Sequence, residues 1–141
     1  MPALSRQLTL EAAPGSWPQA EAFLTDALQA CAALPSKTAR QFTLAAEEAY
    51  VNVVQYAYAG TAPDTVSLQF ECDSDARVLH LAIEDHGTPN NPHDRPDPDL
   101  TQNAAQRPIG GLGIFLVRQL MDRVEYTRGD DTNRLEFWKH Y

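Results

Sequence analysis

The chain has 141 residues and a formal net charge of -8, with 19 acidic residues against 11 lysines and arginines. This length suffices for one ordinary domain, and we expect residues 1–141 to form a single one. The acidic balance disfavours duplex nucleic acid as a partner, because phosphate recognition needs clustered basic residues. No apolar run approaches the ~20 residues of a membrane span, and no basic segment followed by an apolar stretch opens the chain. We therefore expect a soluble, cytoplasmic protein without a membrane partner.

The first half of the chain predicts one strand followed by two helices. Alternating apolar and polar residues indicate a strand at 4–10. Apolar residues at helical spacing then predict a helix at 16–34, which Pro35 ends. Ser36 is typical of a helix N-cap and begins a second predicted helix that runs to about residue 57.

The second half predicts two hairpins with an irregular segment and a helix between them. In chain order these are strands at 65–72 and 78–83, an irregular stretch rich in Pro, Asn and Asp at 87–108, a helix at 112–121, and strands at 124–128 and 134–138. Strands at both ends with helices between them predict an α+β fold. We expect a two-layer α/β sandwich in which helices cover one face of a mostly antiparallel sheet.

Glu48 and Asn52 lie one turn apart on the second predicted helix, beside its apolar stripe. Residues at this spacing point the same way. Magnesium prefers few protein oxygens together with waters and phosphate oxygens, so Asn52 could complete a metal shell made mainly by a nucleotide. Glu48 could then take a proton from an attacking hydroxyl. A solvated helix edge is the alternative interpretation, and the pair alone does not exclude it.

Asp85 follows the predicted strand at 78–83, where the chain leaves the sheet. Gly87 lets the backbone bend there without an intervening side chain. A carboxylate in this position can accept a hydrogen bond from an exocyclic amine such as that of adenine. An Asx turn that ends the strand is an equally good interpretation of Asp85 taken alone.

A glycine cluster precedes the last predicted helix and consists of Gly110, Gly111 and Gly113. It places flexible backbone at a helix N-terminus, where free N–H groups and the helix dipole favour anions such as phosphate. The cluster is not a P-loop, because no Lys-Ser or Lys-Thr follows the glycines. A close-packed turn without a ligand is the alternative.

Three segments in this order, AEEAYVN at 46–52, IEDHGTP at 83–89 and GGLGI at 110–114, resemble the anti-sigma factor serine/threonine kinases. The resemblance extends over nearly the whole chain. That family belongs to the ATPase superfamily shared with gyrase and histidine kinases. The resemblance therefore implies a Bergerat ATP-binding fold, with ATP and Mg²⁺ as its cofactors.

Carried over position by position, the resemblance implies a role for each motif residue. Asn52 would be the magnesium ligand, and Glu48 would be the catalytic general base. Asp85 would hold adenine, with Gly87 allowing its approach. Residues 87–109 would form a lid, and the phosphates would be cradled by Gly110, Gly111 and Gly113.

The resemblance also implies partners: a STAS-domain anti-anti-sigma protein that is phosphorylated, a sigma factor, and a second copy of the chain in a homodimer. Two positions depart from the family pattern, since Tyr56 stands where the family often has His and Asn90 where it often has Phe. The segment 87–109 also carries Arg95 and Arg107, to which the sequence assigns no role. These departures keep open a second interpretation, a non-catalytic module that binds ATP or sequesters a partner.

Overall fold

The computed structural model describes residues 3–56, 64–94 and 111–141. The strands within these ranges are β1 (Leu4–Glu11), β2 (Thr65–Asp73), β3 (Val78–Asp85), β4 (Arg123–Arg128) and β5 (Asn133–His140). The α-helices are α1 (Trp17–Gln29), α2 (Ser36–Tyr56) and α3 (Gly111–Leu120). Gly110 and most of the predicted lid, including Arg95 and Arg107, lie outside the described residues.

The strands form one sheet in the order β1-β2-β3-β5-β4, and each neighbouring pair is antiparallel. The side chain of Asp73 stabilises the short turn between β2 and β3. Asp73 Oδ1 accepts hydrogen bonds from the backbone N–H groups of Asp75 and Ala76, each at 3.0 Å. Arg77 then takes a left-handed conformation with φ of 58°. The predicted α+β fold with an antiparallel sheet is confirmed.

The core lies between one face of the sheet and the helices. Phe42 of α2 packs against Phe70 and Phe137, with ring centroids 6.0 and 5.4 Å apart. All three rings are fully buried. Burying an aromatic side chain stabilises the fold by ~1.5–3 kcal/mol relative to leaving it exposed, so this cluster fixes α2 on the sheet.

The opposite face of the sheet carries polar side chains that pair with one another. His80 Nε2 lies 2.9 Å from Glu136 Oε2, and Arg134 lies 3.2 Å from both Glu84 and Glu136. This alternation between strand faces places the motif residue Asp85, which shares a face with Leu81 and Ile83, on the helix side.

Two differences between the predicted boundaries and the structure change the path of the chain or the place of a motif residue. The first predicted helix was expected to reach residue 34, but α1 ends at Gln29. Ala33 has φ of 59°, a left-handed conformation that no α-helix contains, and it turns the chain toward α2. Strand β3 continues to Asp85, so this residue is the last of the strand rather than a residue beyond it. None of the helices in the described ranges combines the length and the apolar composition that a membrane span requires.

Candidate nucleotide site

Helix α2 places Glu48 and Asn52 at the edge of its buried stripe. The predicted stripe is buried throughout and comprises Phe42, Ala45, Ala46, Ala49 and Val53. Asn52 is itself only 4% exposed, and Glu48 is half-buried. Asn52 therefore lies inside the fold, whereas Glu48 keeps partial access to solvent.

The course of α2 leads from the aromatic core toward the end of β3. Phe42 lies against Phe137, which pairs with Leu81 in the sheet. One turn later, Ala46 lines the same small cavity as Leu68 and Leu81. Leu68 is one step closer to the end of β3, because it pairs with Ile83. The helix therefore advances along the sheet toward the row that contains Asp85, and Asn52 lies further in that direction.

The first and third motifs meet where α2 packs on α3. A Cβ atom placed on Gly113 would lie 2.6 Å from Oε2 of Glu48 and 3.6 Å from its Cδ. The Glu48 carboxylate therefore occupies the space that any larger residue would need at position 113. Because Gly113 lies in the first turn of α3, this carboxylate rests against the end of the helix at which the dipole favours negative charge.

The surroundings of Glu48 favour its neutral form. Burial raises the pKa of this carboxyl above its ordinary value, and the charge of the adjacent Glu47 raises it further. A carboxylate with a raised pKa accepts a proton more readily than an exposed one. The arrangement thus raises the proton affinity of Glu48 above that of an ordinary glutamate.

Asp85 is 2% exposed and ends β3 opposite Asn133 of β5. Its Oδ1 accepts hydrogen bonds from Gly87 N at 2.8 Å and from Asn133 Nδ2 at 2.9 Å. The first of these bonds is the Asx turn that the sequence offered as an alternative. Among the described residues, no hydrogen bond reaches Oδ2, so that oxygen remains available to a donor from a ligand.

Opposing effects act on the charge of Asp85. Burial raises the pKa of this carboxyl above its ordinary value. Hydrogen bonds from Asn133 and Gly87 act in the opposite direction and lower it, as do the nearby charges of His86 and Arg128. The hydrogen bond from Asn133 is the strongest of the effects that favour the ionised form.

Asn133 was not among the residues selected from the sequence. It lies in the polar stretch DDTN, which is typical of a hairpin turn. A usable signal is nevertheless present, because Asn133, Leu135 and Phe137 alternate along β5 and share the buried face. A polar residue that continues an inward apolar alternation must find buried hydrogen-bond partners.

The glycine motif is only partly described. Gly111 begins α3 and Gly113 contacts Glu48, whereas Gly110 lies outside the described residues. Within the described ranges, no three His, Cys, Asp or Glu side chains are grouped closely enough to hold a metal ion. An amide oxygen such as that of Asn52 suits magnesium when the nucleotide and water supply the other ligands, so the donor set fits a metal–nucleotide complex rather than a free metal.

A larger cavity lies away from these residues. It has a volume of about 600 Å³ and opens between the end of α1 and the first half of α2, where Leu28, Cys31 and Leu44 line it. Glu47 also lines this cavity, whereas Glu48, Asn52 and Asp85 do not. The two consecutive glutamates therefore lie in different places: Glu47 lines this cavity, and Glu48 lies against Gly113 of α3.

Comparisons with known proteins identify the family to which this chain belongs. The family described as the histidine kinase-like ATPase domain matches residues 10–139. The chain belongs to this family. The resemblance inferred from the three motifs is thereby confirmed at the level of the domain.

Two protein kinases are among the relatives of this chain within the family. The serine/threonine-protein kinase BtrW of Bordetella bronchiseptica is 31% identical over 98 residues, which are 70% of this chain and 68% of BtrW. The serine-protein kinase RsbW of Listeria monocytogenes is 30% identical over 86 residues, which are 58% of this chain and 54% of that protein. Both relatives are named as protein kinases that act on serine or on serine and threonine, which agrees with the kinase part of the resemblance.

A solved structure supports the fold. The crystal structure of the RsbU and RsbW domains of a Mycobacterium tuberculosis protein superposes with a TM-score of 0.68 over 99% of this chain. The sequences are 14% identical, and the match covers 32% of that longer chain. At this identity the likeness bears on the fold alone.

Proposed function

We propose that the protein is an ATP-dependent serine/threonine protein kinase and anti-sigma regulatory factor. The observation that carries the proposal is the contact between Glu48 and Gly113, because it puts a carboxylate of raised pKa at the N-terminal turn of α3. Phosphoryl transfer depends mainly on positioning and electrostatics, with a carboxylate that accepts the proton of the attacking hydroxyl. The site supplies such a carboxylate beside a backbone suited to phosphate.

In this proposal Glu48 accepts the proton of a serine or threonine hydroxyl on the protein substrate. The hydroxyl oxygen forms a bond to the γ-phosphorus as the bond between that phosphorus and the ADP oxygen breaks. The raised pKa of Glu48 brings its proton affinity closer to that of the developing oxygen nucleophile. The backbone at Gly111 and Gly113, together with Gly110, would hold the phosphates.

The remaining motif residues would bind the nucleotide. Asp85 Oδ2 would accept a hydrogen bond from the adenine amine, and Gly87 would let the base approach the backbone. Asn52 would provide the protein's oxygen ligand to Mg²⁺. When bound, magnesium neutralises charge on the phosphates. Residues 87–109 would act as a lid over the nucleotide, and residues 1–141 as a single domain.

The names of the relatives and the sequence resemblance together support a role in partner switching. The substrate would be a STAS-domain anti-anti-sigma protein, and its phosphorylation would free the kinase to hold a sigma factor. The resemblance also supports a homodimer. The chain spans about half the length of the Listeria RsbW that it matches, so the activity of that whole protein is part of this proposal.

Transfer of labelled γ-phosphate from ATP to proteins in an extract of the source cell tests the proposal. Glu48→Gln should lower transfer about a hundredfold or more while leaving ATP affinity within about threefold of the parent. Glu47→Gln is the matched control, because it makes the same change one residue away, at the cavity between α1 and α2. Near neutral pH it should retain transfer.

The same experiment separates catalysis from sequestration. The departures at Tyr56 and Asn90 favour the alternative, in which the pocket holds a nucleotide or nothing and the protein only sequesters a partner. A labelled band of small-protein size that appears with the parent and not with Glu48→Gln supports the kinase. Identical lanes from the two proteins would contradict it and favour the sequestering module.

A further inference from the structure

The outer face of α2 carries exposed apolar side chains. Leu44 is 42% exposed and Val51 is 46% exposed, and among the described residues these two are the large apolar side chains that stand open to solvent. They are two helical turns apart, so both lie on the side of α2 that points away from its buried stripe. An exposed apolar patch bordered by polar residues is typical of an interaction surface.

The cavity between α1 and α2 extends this patch. Leu44 lines the cavity together with the buried Leu28 and the half-buried Leu34. Its volume of about 600 Å³ leaves room for apolar side chains of a second molecule. The patch and the cavity thus form one continuous apolar surface beside the first half of α2.

The charged residues on this face of α2 are separated by sign along the helix. Lys37 and Arg40 precede Leu44, whereas Glu47 follows it. Arg40 and Glu47 lie about 10 Å apart along the helix axis, which is too far for an ion pair within one helix. Within the described ranges, neither residue forms an ion pair with any other side chain. The face is therefore basic before its centre and acidic after it.

A second copy of the chain has the charges that match this pattern. Two α2 helices packed antiparallel about a two-fold axis at Leu44 would bring Arg40 of each copy beside Glu47 of the partner subunit. The same arrangement would place Leu44 against its own counterpart and the aliphatic stem of Lys37 over Val51 of the partner subunit. A two-fold interface requires a surface that is complementary to itself, and the outer face of α2 meets this requirement.

We propose that the outer face of α2 is a two-fold interface between two copies of this chain, with Leu44 at its centre and Arg40 paired with Glu47 of the partner subunit on either side. This inference rests on the homodimer in the proposed function and names the surface that forms it. The nucleotide motifs are not part of the interface, since Glu48 lies against Gly113 of α3. Association and phosphoryl transfer can therefore be measured separately.

Sedimentation equilibrium over a wide range of protein concentration tests the apolar centre of the interface. Leu44→Asp should raise the Kd of the dimer about a hundredfold or more, because it removes an apolar contact and places two carboxylates at the axis. Since Leu44 lies outside the core, the variant should still fold, and circular dichroism checks this. Glu71→Arg is the control, because Glu71 is an exposed residue of β2 that pairs with His80 on the opposite face of the sheet. It should leave the Kd within about twofold of the parent's value.

Exchange of the two charges tests the pairing itself. Arg40→Glu and Glu47→Arg should each raise the Kd about tenfold or more, because like charges then meet across the axis. The double variant restores opposite charges at both sites and should return the Kd to within about threefold of the parent's value. Such a recovery cannot arise within one chain, because the two positions are too far apart on the helix.

The outcomes distinguish this inference from the proposed function. A dimeric parent whose Kd is unchanged by Leu44→Asp and by both single charge reversals would overturn the interface and leave the proposed homodimer to another surface. A double variant that associates no better than the single ones would overturn the two-fold pairing. A parent that is monomeric at every concentration would overturn the inference together with the homodimer, and the outer face of α2 would then suit a helix of a different protein. Transfer of γ-phosphate tests the kinase independently of all these results.

Discussion

Two consecutive inward-facing steps of the β3–β5 ladder differ in their chemistry. Ile83 lies opposite Leu135, and one step further Asp85 lies opposite Asn133, with all four side chains buried. The apolar pair stabilises the fold by ~1.5–3 kcal/mol per side chain. A buried carboxylate must instead be compensated by hydrogen bonds. An apolar pair in place of Asp85 and Asn133 would stabilise the fold more. A polar pair at such a buried position is the pattern expected of a binding site.

Truncation of the Ile83 side chain tests the apolar pair of Ile83 and Leu135 most directly. Ile83→Ala should lower the free energy of unfolding by about 2–5 kcal/mol, because it removes buried apolar volume and leaves a cavity. Urea denaturation of the variant and the parent measures this difference. A loss below about 1 kcal/mol would show that the step adjacent to Asp85 is not part of a tightly packed core.

Gly113→Ala tests the contact between α2 and α3. The new methyl group would lie 2.6 Å from Oε2 of Glu48, so the carboxylate must move. Because that atom is the end of a flexible side chain, stability should change little while phosphoryl transfer falls about tenfold or more. Transfer assays and thermal unfolding of the same preparation measure the two effects.

Gly15→Ala is the matched control for this change, since a Cβ at that position meets nothing within 4 Å. It should leave both transfer and stability near the parent's values. Full transfer by Gly113→Ala would contradict the role given to Glu48.

Asp85→Asn tests how much the buried charge of Asp85 lowers the free energy of unfolding. Asn can keep the two hydrogen bonds at Oδ1 without the buried charge, so the free energy of unfolding near neutral pH should be unchanged or higher by ~1 kcal/mol or less. Because the pKa of Asp85 is raised in the folded state, the protonated carboxyl is more stable there than in the unfolded chain. This contribution to the free energy of unfolding is complete at pH values below the pKa of Asp85 in the unfolded chain, and it is lost as pH rises through the pKa of the folded state. Any advantage of the variant should therefore shrink as pH is lowered.

Denaturation curves at about pH 7 and about pH 4 measure this difference, because the lower value approaches the ordinary pKa of an aspartate. An advantage of Asp85→Asn that grows toward acid pH would contradict the assignment.

The smallest predicted effect concerns Glu47. Its charge raises the pKa of Glu48, so Glu47→Gln should lower that pKa and move the acid limb of the transfer rate to lower pH. The ionised base would then persist at more acidic pH. Transfer rates measured across the acid range check this, and a limb that moved to higher pH would contradict the coupling between the two glutamates.

The sequence predicted those parts of the protein that local patterns determine. The buried stripe of α2 follows from helical periodicity, and the strands that contain Leu81 and Phe137 follow from alternation. The contact between Glu48 and Gly113 was not predictable, because 64 residues lie between them in the sequence and only the packing of two helices joins them. Asn133 was missed for the same reason, since its partners lie on another strand and its own segment is typical of a turn.

Binding of ATP, which phosphoryl transfer requires, depends most directly on Asp85 as the acceptor for the nucleotide base. Calorimetric titration of ATP with Mg²⁺ into the parent and into Asp85→Asn tests this claim. In the variant an amide N–H₂ replaces Oδ2 and opposes the adenine amine, so affinity should fall about tenfold or more. Equal affinity of the two proteins for ATP, or no binding by the parent, would contradict the account.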